Sequence, residues 1–136
     1  MFSIALRAHP LDLARLGMLV DRFGAEHRLS ADDLTRVNLV LDEIVSNAIK
    51  HGHPNGGDGE IAVSLALDGG LLAIDVTDDG IPFNPLDAPV PNLDLPLEER
   101  PIGGLGVHIV KAVSETITYR REDGRNHLSL TMRVGG

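Results

Sequence analysis

Six of the eight prolines in this 136-residue chain fall between Ile81 and Pro101: Pro82, Pro85, Pro89, Pro91, Pro96 and Pro101. Proline fixes φ and lacks the N–H that helix and sheet ladders use, so this stretch can be neither a helix nor a central strand for long. It divides the chain into two patterned parts. Before it, Phe2 to Leu6 has the apolar density of a short strand, and Leu11, Leu13, Ala14, Leu16, Leu19, Val20 and Phe23 recur at helical spacing. Ser30-Ala31-Asp32-Asp33 reads as a capping box with acids on the positive end of the helix dipole. The stripe Leu34, Val37, Leu41, Ile44, Val45 and Ala48 follows, and Gly52 and Pro54 stop it.

A Gly-rich connector over 55–59 then leads to two apolar runs, 61–65 and 71–76, which flank the hairpin signal Asp68-Gly69-Gly70. Beyond the prolines, Gly103-Gly104-Leu105-Gly106 opens a short helix carrying Val107, Ile109, Val110 and Val113. A second hairpin closes the chain: Thr116 to Arg121, the turn Asp123-Gly124, and alternating residues from His127 to Val134. The order β-α-α-β-β-loop-α-β-β leaves few parallel crossovers. It predicts one α+β domain over 1–136, with helices on one face of a mixed, mostly antiparallel sheet. A connection as long as the proline-rich one is commonly functional or mobile.

Composition excludes several function classes. Apolar residues make up 43% and charged residues 24%, the profile of a soluble globular domain. Cysteine is absent, which removes disulfides and thiolate chemistry. No apolar run approaches the ~18 residues of a membrane span. The first residues show no charged-then-apolar secretory pattern, so the expected compartment is the cytoplasm. Twelve Lys and Arg against twenty Asp and Glu give a formal charge of −8, which repels a phosphate backbone. Arg120, Arg121 and Arg125 are interrupted by Glu122 and Asp123, so no nucleic-acid partner is expected.

Three constellations carry chemistry, and each has a plain structural alternative. Glu43 and Asn47 are spaced i,i+4 with Lys50 beyond, on the helix face away from the apolar stripe. An amide oxygen one turn from a carboxylate can hold hydrated Mg²⁺ against phosphates; the alternative is a solvated polar face. Asp78-Asp79-Gly80 follows a strand, where an Asp can accept from an exocyclic amine and Gly80 lets another molecule approach the backbone; the alternative is a turn. Gly103 to Gly106 places backbone amides at a helix start, where anions bind; the alternative is a glycine hinge. His51 and His53 read as exposed helix-end residues without a third metal ligand.

Taken in this order, with the long loop between the second and third, the chain resembles the Bergerat-fold (GHKL) ATPases over nearly its whole length. Glu43 and Asn47 match the N box of that family, Asp78-x-Gly80 its G1 box and Gly104-x-Gly106 its G2 box. The resemblance implies the Bergerat ATP-binding fold and the cofactors ATP and Mg²⁺. It implies that Asn47 coordinates Mg²⁺ and that Asp78, in the Gly80 turn, binds the adenine amine. Gly103, Gly104, Leu105 and Gly106 would contact phosphates with Lys50 as a nearby cation, Glu43 would be the general base, and 81–103 would be an ATP lid.

The phrases Leu41 to Ala48, Gly103 to Val110 and Tyr119 to Asn126 look most like the anti-sigma-factor serine kinases. That subgroup implies phosphorylation of a serine on a STAS-domain anti-anti-sigma partner, a sigma factor as a further partner, and a homodimer. Pro82 stands where the G1 box has its second glycine. The departure bears on kinase activity more than on fold or ATP binding. It leaves a partner-switching module that binds ATP with little or no phosphotransfer as the alternative.

Overall fold

The computed structural model describes residues 2–9, 11–53, 59–87 and 104–135, without the side chains of Gly104 and Leu105. In chain order the elements are β1 (Phe2–Arg7), α1 (Asp12–Glu26), α2 (Ala31–Asn47), β2 (Glu60–Asp68), β3 (Leu71–Asp78), α3 (Gly104–Val113), β4 (Thr116–Glu122) and β5 (Arg125–Arg133). The five strands form one sheet in the order β1-β2-β3-β5-β4, and every pairing is antiparallel. The expected mixed sheet is therefore corrected. β3 and β4 do run in the same direction, but β5 inserts between them, so the parallel-running strands share no ladder.

Alternation places the core. Ile61, Val63 and Leu65 on β2, Leu72, Ile74 and Val76 on β3, and Leu128, Leu130 and Met132 on β5 are all buried on one sheet face. Against them pack Leu16, Val20 and Phe23 of α1 and Val37, Val40, Leu41, Ile44 and Val45 of α2. Each such side chain contributes about 1.5–3 kcal/mol by leaving water. The turns Gly69–Gly70 and Asp123–Gly124 have positive φ at all four residues, the geometry that matches strand twist in a two-residue hairpin.

The two ends of α2 compare differently with expectation. Ser30 caps α2 by accepting the Asp33 N–H at 3.1 Å. The return half of the capping box is replaced: the short Asp33 side chain turns to Arg36 and to the Gly135 N–H at 2.7 Å, fastening the chain's end to the start of α2. At its other end α2 passes into a π-helical turn, Ala48–Gly52, which ends at the expected stop, Gly52. Such widened turns often mark functional sites.

Candidate functional site

The inward phase of β3 runs Leu72, Ile74, Val76 and then Asp78; that of β5 runs back from Met132 through Leu128 to Asn126. Register pairs Asp78 directly with Asn126. Two polar residues, 6% and 5% exposed, thus face each other at core positions at one end of the sheet. Asn47 and Ala48, at the α2 terminus, line the same cavity, and Phe83 and Pro85 roof it. The cavity is partly open and holds about 20 Å³. That is room for one water-sized occupant and less than a purine fills.

The walls are tightly bonded. Asp78 Oδ1 accepts from the Gly80 N–H and from Asn126 Nδ2, both at 2.9 Å. Asn126 Nδ2 also donates to the Ile81 carbonyl at 2.8 Å, while its Oδ1 accepts from the Phe83 N–H at 3.2 Å and from the Tyr119 hydroxyl. Arg121 Nη1 holds the Gly80 carbonyl at 2.7 Å. The Ile81 N–H donates to the Gly52 carbonyl at 2.8 Å. A Cβ on Gly80 would overlap the Gly52 backbone. The space that Gly80 keeps open is thus filled by the end of the protein's own helix rather than by another molecule.

Glu43 and Asn47 do not form a solvated face. Asn47 is 7% exposed and donates through Nδ2 to Glu43 Oε1 at 3.2 Å. That bond fixes the amide, and among the described residues no donor is bonded to Asn47 Oδ1. The Glu43 carboxylate lies against the Cα of Gly106, where a Cβ would overlap it. The fold therefore brings the first motif onto the third. α3 begins at Gly104, as the glycines imply; Gly103 and 88–103 of the expected lid lie outside the described residues. The start of that segment is held: Phe83 stacks on His51 with centroids 4.3 Å apart, and Lys111 Nζ donates to the Leu86 carbonyl at 3.1 Å.

Lys50 is exposed and does not line the cavity, because the π turn rotates it off the line through Glu43 and Asn47. His53 is corrected from exposed to part-buried, its side chain 9% exposed. Its Nδ1 meets the Ala48 carbonyl at 3.2 Å and its Nε2 meets Asp79 Oδ1 at 2.9 Å. The His53 bond, with the Glu60 N–H, holds the Asp79 carboxyl below its usual range despite desolvation.

Gly52, His53, Tyr119 and Asn126 were not legible as site residues from motifs. For Asn126 a signal exists, since the alternation of β5 carried back one step puts a polar residue on the core face.

Comparison with known proteins gives the class. The family model for the histidine kinase-like ATPase domain matches residues 6–132, and the chain belongs to that family. Among curated relatives, the serine/threonine-protein kinase BtrW of Bordetella bronchiseptica is 28% identical over 83% of this chain and 75% of its own length. An anti-sigma F factor of Bacillus velezensis is 27% identical over 85% of this chain and 77% of its own. The structure of the RsbU and RsbW domains of Rv1364c from Mycobacterium tuberculosis covers 98% of this chain with a TM-score of 0.64. At 17% identity, and with this chain spanning 33% of that longer one, the likeness shows the fold. The catalytic domain of histidine kinase ThkA matches over 98% of this chain and 97% of its own, with a TM-score of 0.53. No helix among the described residues is long and apolar enough to cross a membrane.

Proposed function

We propose that this protein is a cytoplasmic, ATP-dependent protein serine/threonine kinase that works as an anti-sigma-factor-type switch. Its partners in this reading are a STAS-domain anti-anti-sigma protein, which it phosphorylates, a sigma factor, and a second copy of itself. The observation that carries it is the meeting of Glu43 and Asn47 with Gly106 beside a cavity whose far wall is Asp78. One end offers a buried carboxylate to a base. The other offers an amide oxygen, a carboxylate and the start of a helix to phosphates and a hydroxyl. The relatives named a kinase and an anti-sigma factor support the same reading.

Phosphoryl transfer asks for position and charge neutralisation more than covalent chemistry. Asp78 has one carboxylate oxygen occupied by two donors, which leaves Oδ2 to accept from the adenine amine. Asn47 Oδ1 is a hard oxygen donor held in place by Glu43, and it fits Mg²⁺. Among the described residues no three His, Cys, Asp or Glu side chains converge, so Mg²⁺ would take most of its ligands from water and phosphates. That ion supplies charge neutralisation when bound. Backbone amides from Gly103 to Gly106 would receive the phosphates at the start of α3. Glu43 would take the proton from the incoming serine hydroxyl, since its Oε2 is not the oxygen bonded to Asn47. Pro82 leaves no gap in this frame: the carbonyl before it and the N–H after it are both bonded to Asn126.

Incubation with labelled ATP and a STAS-domain protein tests the proposal, scoring transfer and stable association separately. Transfer should occur, and Glu43→Gln should cut it about a hundredfold while nucleotide binding stays. A tight ATP-dependent complex with no transfer would establish the binding module instead.

A further inference from the structure

We propose that Asn126 is the positioning residue for base selection, aiming Asp78 so that a 6-amino purine is preferred over a 6-oxo purine. This rests on the reading of Asp78 as the base acceptor. The side-chain amide of asparagine has two N–H donors and an oxygen that accepts twice. In Asn126 all of these are used, on partners from three parts of the chain. Nδ2 donates to Asp78 Oδ1 and to the Ile81 carbonyl, and Oδ1 accepts from the Phe83 N–H and the Tyr119 hydroxyl. The amide thus spans Pro82, taking the carbonyl before it and the N–H after it as a neighbouring strand would.

Burial at 5% exposure makes each of these bonds costly to lose. The network permits one orientation of the amide, since a flipped one would set its donors against the Phe83 N–H. That orientation fixes Asp78 in turn. With the Gly80 N–H and Asn126 Nδ2 both on Oδ1, the carboxylate cannot swing without breaking two bonds. Oδ2 is then a fixed acceptor toward the cavity. An exocyclic amine satisfies it, whereas a 6-oxo group opposes acceptor to acceptor. Rejection by an unpaired buried polar group is the stronger form of discrimination. The motifs assign no role to Asn126, and its side chain need not touch the nucleotide to act in this way.

Calorimetry with Mg·ATP and Mg·ITP on wild type, Asn126→Asp and Tyr119→Phe tests the assignment, with a thermal melt of each. Asn126→Asp keeps the size and the oxygens facing Phe83 and Tyr119, but removes both donors. Wild type should prefer ATP by about tenfold or more, the scale of one hydrogen bond to a charged group. Asn126→Asp should lose about tenfold in that preference, with ITP affinity changed less than about threefold because the phosphate end is untouched. Tyr119→Phe removes only the hydroxyl on Asn126 Oδ1 and should lose preference by about threefold. If Asn126→Asp does not fold, Tyr119→Phe alone decides, and an unchanged ratio overturns the proposal. Equal loss of both nucleotides would make Asn126 a structural residue only and also overturn it. Wild type that binds ATP and ITP alike would sink the Asp78 reading itself, a result separable from the variants' behaviour.

Discussion

A methyl group added at Gly80 would overlap the Gly52 backbone, whereas one added at Gly106 would meet the end of the Glu43 side chain. Backbone cannot step aside, and a carboxylate can. Gly80→Ala should therefore destabilise the fold by about 1–3 kcal/mol, the usual cost of overpacking, read as a lowered midpoint in thermal unfolding. Gly106→Ala should leave that midpoint nearly unchanged and lower phosphotransfer, because Glu43 is displaced from beside Asn47. Equal melting losses in both would contradict the distinction. At this scale motif spacing made Glu43, Asn47, Asp78, Gly80 and Gly106 legible. It could not reveal that Gly80 serves Gly52, since that contact joins residues with no local pattern in common. Nor could it show His53 as part-buried, because its partners, Ala48 and Asp79, meet only once α2 has packed on β3.

Among elements, the junction of α2 with the β3 exit is held by side-chain hydrogen bonds as well as packing. His53 bonds Asp79, and at the other end of α2 Asp33 bonds the Gly135 N–H and Arg36. Both carboxyls are held below the usual carboxylate range, Asp33 chiefly by the Gly135 N–H and Asp79 chiefly by His53. A carboxyl with a lowered folded pKa binds its proton less readily folded than unfolded. Its stabilisation is therefore complete above the unfolded value and disappears as pH falls through the lowered one. Chemical denaturation at stepped pH should show stability falling below about pH 4, with a shallower fall in Asp79→Asn. An equally steep fall in that variant would show that Asp79 is not part of the acid response. The elements themselves were legible from periodicity, with bounds shifted by one to three residues. The π turn was not, because a widened turn keeps a helical pattern of apolar residues.

For the whole molecule, the expected one-sided α+β architecture matches the observed one, and the all-antiparallel ladder is the correction. Pairing is decided by which hairpin inserts where, and the alternation within β4 and β5 does not encode their neighbours. Insertion of β5 beside β3 sets Asn126 opposite Asp78, the rung on which the proposed base site rests. That rung, the roof of Phe83 and Pro85, and the Glu43–Asn47 pair against Gly106 make the cleft to which the proposal assigns a base at one end and phosphates at the other. The direct test is calorimetry of Mg·ATP binding to wild type and to Asp78→Asn. An asparagine oxygen can still accept the Gly80 and Asn126 donors, so the fold should survive. The remaining position becomes a donor facing the adenine amine, so affinity should fall by about tenfold or more with an unchanged melting midpoint. Affinity for Mg·ATP equal to that of wild type would contradict the assignment of this cleft to the base.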